Sequence, residues 1–371
     1  MRHRIRAYQV ASFLALYSHV ALLFFVPAAM AARAGRDAWL SVLVGAMAAL
    51  PVVLVVSALA SRHRGLSLVE VGQTLLGPWP GRMLGLVWPA FFIFLCSLVI
   101  RNVMDFLGMA ILRGTPPLFI GASMALLAAY AVYDGIEVLA RIGGLAAFVY
   151  FASGAVGILL VLNQADFRSA LPAVEAGLRA VWDGALPSLG WFGESVILGF
   201  LLPHVEPPRM GLRWALGGYA VAAGWLSLVT FLSIVVFGPS LTAMSTYPIF
   251  VLVQQVRIGQ FFERVEVVLV SVWLTGMFVK VALCLWAAGM GVGHALGIPY
   301  RPQTVLVLAG VALGLTQVWA GFPAEANWGV EQWTRITFPL ELGVPLLLLV
   351  VSTMRGRRSG SREGVQTRGP A

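Results

Sequence analysis

Apolar residues in this chain come in long, nearly unbroken runs, not at the 3.6-residue or two-residue periods of half-buried helices and strands. A run of about 20 such residues crosses the hydrocarbon core of a bilayer as a helix. Ten candidate spans follow: Tyr8–Ala32, Ala38–Ala60, Leu84–Gly108, Pro117–Tyr133, Ile142–Leu162, Pro187–Leu202, Trp214–Phe237, Val267–Gly289, Thr304–Ala320 and Ile336–Thr353. The first begins behind basic residues and ends in small ones, like a cleavable leader. It carries Tyr17, Ser18 and His19 at its centre, however, and is read as a retained span. Between spans seven and eight, the loop Gly238–Glu266 holds the apolar stretch Tyr247–Val256. That stretch is too short to cross and is expected as a re-entrant or interfacial helix. From Arg355 to Ala371 the chain is Arg, Gly and Ser with almost nothing to bury, and a basic disordered tail is expected. Residues 1–354 then form one transmembrane domain.

Composition fits this pattern. Of 371 residues, 59% are hydrophobic and 11% charged, whereas a soluble domain carries roughly a quarter charged residues. Such a chain needs lipid as its solvent. The net charge of +9 sits in short arginine tracts between apolar runs and does not suggest nucleic acid. With ten spans both termini fall on one side. Placing them in the cytoplasm puts fifteen loop and tail arginines inside and eight outside, as the positive-inside rule prefers. Cys96 and Cys284 both lie in apolar runs, so no disulfide framework is expected. No zinc-binding, phosphate-loop or nucleophile-elbow motif occurs. Neither an enzyme, a cofactor nor a metal is expected.

Ionisable residues inside spans are costly and mark candidate functional positions. Lys280, the only lysine, lies deep in span eight, and Glu194 lies in span six. Span six reads Pro187-Ser188-Leu189-Gly190-Trp191-Phe192-Gly193-Glu194, two glycines around two aromatics before an acid. Gly190 and Gly193 suit either a helix that breaks to offer backbone to a ligand or close packing of a neighbouring helix. Arg101 and Asp105 are four apart on span three and are expected to pair, as a structural link or beside a ligand. His19 is either a hydrogen-bonded structural group or a ligand contact. Glu341 is expected at the outer end of span ten. A cavity is expected near the midplane between spans one, three, six and eight, lined by His19, Arg101, Trp191 and Glu194 with backbone from Gly190 to Gly193.

Several stretches together resemble the B subunits of bacterial spore germinant receptors, the endospore germination permeases of the amino acid–polyamine–organocation transporter superfamily. They are Tyr8-Gln9 with Pro27 and Ala34-Gly35-Arg36-Asp37-Ala38-Trp39; Arg101-Asn102-Val103-Met104-Asp105-Phe106 with Thr115-Pro116; and Gly135-Ile136-Glu137 with Arg141. The longest is Tyr247-Pro248 through Gln254, then Phe262-Glu263-Arg264-Val265-Glu266, Trp273 and Phe278-Val279-Lys280. The resemblance implies an all-α integral membrane fold of two inverted five-helix repeats, about 8–162 and 187–353, with spans one and six discontinuous around a small ligand. It also implies a spore inner-membrane location, an A-type membrane subunit and a C-type lipoprotein as partners, and an amino acid or similar nutrient as the trigger of germination. One departure stands out. The family's Gly-x-Gly in span one is replaced here by Val20-Ala21-Leu22-Leu23-Phe24, which leaves fewer exposed backbone amides for a carboxylate.

The preferred reading is a germinant-sensing subunit with a permease fold. A secondary transporter of amino acids or other small solutes, and a non-binding structural or channel subunit, remain open. Span eight contributes to the sodium site in sodium-coupled relatives of this fold. The resemblance therefore implies that the ammonium of Lys280 stands where sodium would sit, tied to the break in span one or to Glu194. A pair that only holds two helices together is the other reading.

Overall fold

In a computed structural model of the chain, residues 4–23, 26–255, 265–319 and 328–366 are described. The fold is helical apart from two short strands, β1 (Ile5–Arg6) and β2 (Val205–Glu206), which pair in parallel. The first segment divides into α1 (Ala7–Tyr17) and α2 (Val26–Ala34), and α3 (Ala38–Arg62) follows. The short α4 (Leu68–Leu76) lies between α3 and the long α5 (Pro78–Ala110). Then come α6 (Pro117–Tyr133), α7 (Ile136–Val161), α8 (Gly177–Gly193), one turn of α9 (Leu198–Leu201), α10 (Gly211–Met244) and α11 (Pro248–Gln254). The chain ends with α12 (Val265–Leu296), α13 (Pro302–Leu315) and α14 (Trp333–Gln366).

Among the described residues, seven helical runs are long and apolar enough to cross a membrane, and Pro117–Tyr133 and Gln303–Val318 are shorter apolar helices. The count differs from the expected ten for physical reasons. The first segment is broken, α2 and α3 run together through one 3₁₀ turn, and two helices are short. Large apolar side chains such as Phe119, Tyr130, Leu145, Phe148 and Leu159 point outward, where lipid is their solvent.

The element α4 has no counterpart among the expected spans, although its start is written in the sequence. Ser67 and Glu70 form a capping box, Ser67 N–H donating to Glu70 Oε2 at 2.8 Å. Gly238 has φ +76°, ending the first part of α10, and Pro239 restarts the helix beyond it. The helix expected within Tyr247–Val256 is present as α11 and packs on α7, α10 and α12. The stretch Phe262-Glu263-Arg264 lies outside the described residues. At the other end, the backbone of α14 stays helical to Gln366, past Arg355 where disorder is expected. A helix already nucleated extends at low cost through residues of moderate propensity.

Packing places α12 at the centre, against α5, α6 and α7, while α8 lies between α3 and α14. Two interruptions therefore face the same interior: the gap between α1 and α2, and the tight turn at Glu194–Ile197.

Candidate functional site

The break in the first segment needs no glycine. Helix α1 stops at Tyr17, and Ser18–Leu23 form turns with His19 carbonyl accepting from the amides of Leu22 and Leu23 at 3.0 and 3.1 Å. Stopping a helix orphans its last carbonyls, and in a dry interior each must find a donor. Helix α12 supplies two. Lys280 Nζ donates to Tyr17 carbonyl at 3.0 Å, and Trp273 Nε1 donates to Val20 carbonyl at 2.9 Å. Trp273 and Lys280 are seven apart, two turns along one face of α12. Between them Gly276 lets that face approach, since a Cβ there would lie 2.8 Å from Val20 Cγ2. Val20–Leu23, the described part of the Gly-x-Gly replacement, thus still leaves the regular helix, with α12 supplying donors to it.

The same ammonium reaches the second interruption. Lys280 Nζ lies 2.6 Å from Glu194 Oε2, and both side chains are fully buried. Tyr17 and Trp191 close over it, with ring centroids 4.7 and 5.5 Å from Nζ. Tyr17 hydroxyl lies 3.7 Å from Cys284 Sγ, one further turn along α12. An unpaired ammonium at this depth is strongly disfavoured. Here one carboxylate, one helix-end carbonyl and two aromatic faces offset its desolvation.

The second interruption is less open than expected. From Gly193 through Leu202 the helix stays right-handed, tightening to 3₁₀ over Glu194–Ile197. It is opened one turn earlier, by a neighbour. Thr334 of α14 donates its hydroxyl to Leu186 carbonyl at 2.8 Å and accepts from Gly190 amide at 3.0 Å. It thereby occupies the place of the i→i−4 bond between those residues. Gly190 and Gly193 both face α14. A Cβ on Gly190 would come 2.8 Å from Thr334 Cα, and one on Gly193 would clash with the Glu341 carboxylate. Close packing of α14 therefore occupies both glycines, and their backbone is not laid open to a cavity.

The expected lining groups do not all converge. Glu194 and Trp191 meet at Lys280. His19, also fully buried, turns from the break toward α7. Its Nδ1 contacts Ala15 carbonyl, and its ring lies 5.2 Å from Tyr150 and 5.4 Å from Phe151. Arg101 pairs with Asp105 at 2.8 Å and donates to Thr316 carbonyl at 3.3 Å, tying α5 to the end of α13. It shares no partner with Glu194, and the four expected groups do not line one cavity. Side chains fill the space beside Glu194, where Tyr17, Trp191 and Phe192 are each at most 1% exposed. Open volume lies elsewhere. An apolar cavity of about 80 Å³ between α7, α10, α11 and α12 is floored by Trp225 and Trp273. A polar recess of about 440 Å³ carries Arg4, Arg64, Glu70, Glu206 and His294.

Glu341 is not at the outer end of its span but fully buried against Gly193. Its depth was obscured because the start of a span cannot be located closely from hydropathy alone. Tyr17 and Trp273 stand in the sequence reading without a role at the site, and Thr334 is not singled out, because each acts through a single carbonyl, indole N–H or hydroxyl that no sequence pattern marks. Several polar atoms at the two interruptions lack hydrogen-bond partners among the described residues: Ser18 Oγ, Ser195 Oγ and Glu194 Oε1.

The fold agrees with what comparison with known proteins finds. The chain is 23% identical over 352 residues to spore germination protein KB of Bacillus subtilis (strain 168), covering 93% of this chain and 94% of that one. It is 26% identical over 292 residues to the putative spore germination protein YfkT of the same organism, covering 77% and 78%. Among solved structures, MhsT in complex with L-phenylalanine matches with a TM-score of 0.63 at 14% identity, over 95% of this chain and 88% of that one. The nucleobase-cation-symport-1 family transporter Mhp1, closed with bromovinylhydantoin bound, matches at 0.61 and 14%, over 88% and 75%. These likenesses establish an all-α transporter fold, and neither relatives nor neighbours are enzymes. The family model described as spore germination protein matches residues 4–319, and the chain belongs to that family of integral membrane germination permeases.

Proposed function

We propose that this chain is the germinant-sensing subunit of a receptor in the spore inner membrane, with both termini cytoplasmic. It binds an amino acid or similar small nutrient between the α1–α2 break and the α8–α9 turn. It passes that event to an A-type membrane subunit and a C-type lipoprotein. The two halves about 8–162 and 187–353 act as the repeats that move against each other.

One observation carries the reading: the ammonium of Lys280 bridges Tyr17 carbonyl at the first break and Glu194 at the second. A fixed cation that joins both interruptions does what a bound monovalent cation does between two helix ends, and it needs no sodium. The unpartnered Ser18 Oγ, Ser195 Oγ and Glu194 Oε1 lie on the two interruptions and would supply polar groups for a ligand once the side chains that fill this space move apart. Buried polar atoms without protein partners are rare and call for one.

The test is a thermal-shift screen of the purified chain against amino acids and other small nutrients. A ligand that binds only the folded state stabilises it by about 2.7 kcal/mol at a hundred times its Kd. A specific compound that raises the melting temperature of the wild type but not of Glu194→Gln is expected. A screen in which no compound shifts the wild type contradicts ligand sensing by this chain alone. Accumulation of a labelled compound by proteoliposomes marks a carrier instead.

A further inference from the structure

The interior holds a second acid that the Lys280 bridge does not use. Glu341 of α14 is 0% exposed, and neither carboxylate oxygen has a hydrogen-bond partner among the described residues. The carboxylate lies so close to Gly193 that a Cβ there would clash with it, and Gly193 precedes Glu194 in the chain. Thr337, one turn before it, lies beside the carboxylate but is committed elsewhere. Its hydroxyl has a single proton, which goes to Trp333 carbonyl at 2.9 Å. Lys280 is committed to Glu194 Oε2 and Tyr17 carbonyl, and its remaining side faces the rings of Tyr17 and Trp191.

The charges around Glu341 are few. Glu194, next in the chain to the Gly193 it packs on, and Lys280, the partner of Glu194, are the charged groups of the cluster, with the hydroxyls of Tyr17 and Tyr219 the other titratable groups nearby. The neighbouring α3 carries no ionisable residue before Arg62 at its end, and Glu70 of α4 is taken by Ser67. With both acids ionised, the cluster of Glu194, Glu341 and Lys280 carries one uncompensated negative charge in a dry interior. With Glu341 protonated, it is neutral.

We infer that Glu341 is a proton-binding site, and that its proton holds α14 closed against the Gly190–Glu194 segment of α8. The proton comes from and returns to water. On its loss, the Glu341 carboxylate faces Glu194 as a like charge. The close contact of α14 with Gly193 and Thr334's insertion at Gly190 are then the contacts that give way. The inference stands apart from the ligand reading, because it concerns the chain without ligand.

Infrared difference spectroscopy of the full chain in lipid nanodiscs at neutral pH reads the proton directly. The wild type minus Glu341→Gln spectrum should show the carbonyl stretch of a protonated carboxylic acid. The same band should persist in a Glu194→Gln/Lys280→Met double variant. Amide exchange across Gly190–Ile197, corrected for intrinsic rate, should quicken with rising pH in the wild type and stay slow in Glu341→Gln. Glu341→Leu is the second variant, because a group that is neutral in the fold tolerates an apolar replacement of similar volume. Absence of the band from the difference spectrum, an identical pH response in both proteins, or loss of folding in both Glu341 variants overturns the inference.

Discussion

Lys280 and Glu194 illustrate how a buried pair is distributed in energy. Desolvating both charges costs several kcal/mol per ion, which their attraction and added hydrogen bonds offset. Removing only one partner leaves the other charge uncompensated. Lys280→Met should therefore destabilise the chain by about 3–5 kcal/mol, while Lys280→Met/Glu194→Gln should recover much of that loss. Chemical unfolding of the single and double variants in one detergent checks this, and a double variant as unstable as the single one contradicts it. Trp273→Phe keeps the aromatic bulk but strips the donor from Val20 carbonyl, and should cost about 1–3 kcal/mol. The same unfolding assay reads it, and an unchanged midpoint sinks the claim that α12 holds the break open. Both ionisable residues were legible in the sequence, because charges inside apolar runs are conspicuous. The second bond of Lys280, to Tyr17 carbonyl, was not, because a backbone atom is released only when the helix stops, and no residue in Tyr17–Leu23 announces that stop.

At the scale of elements, the glycines of α8 separate two roles that look alike in sequence. Gly193 meets the Glu341 carboxylate, whereas Gly217 of α10 has nothing within 4 Å of a Cβ. Gly193→Ala should force α14 outward and cost about 1–3 kcal/mol. Gly217→Ala should be neutral or slightly stabilising, as expected for a glycine in a helix interior. Thermal melts of the two variants side by side decide it, and equal effects would contradict the packing role. The sequence placed the long helices and the short helix in the seven–eight loop well, since hydropathy is a sum over many residues. It did not show that Thr334 opens α8 from outside. Of the two readings left open for Gly190 and Gly193, close packing of a neighbour is the one the contacts with α14 fit, and that neighbour also opens the ladder.

Across the whole molecule, one end gathers Arg4, Glu137 and Glu206. Arg4 amide donates to Glu137 at 2.8 Å, its guanidinium pairs with Glu206, and β1 lies along β2. The proposed orientation puts this end in the cytoplasm, on the side where the positive-inside rule prefers arginine. A cysteine introduced into the C-terminal tail, on a background lacking the buried Cys96 and Cys284, should resist an impermeant reagent applied from outside. Labelling from outside would reverse the orientation. The membrane-spanning character of the chain was its most legible property, because every apolar run contributes to it independently. The closed interior was the least, because it depends on which side chains fill the space between helices. The central claim is that a fixed ammonium joins the two interruptions where a mobile cation would otherwise be needed. The melting temperature of the purified wild type, in sodium chloride and in choline chloride at equal ionic strength, tests it most directly. Any ion bound only by the folded state raises that temperature with its concentration. The account predicts the same melting temperature in both salts, and a saturable rise with sodium alone would contradict it.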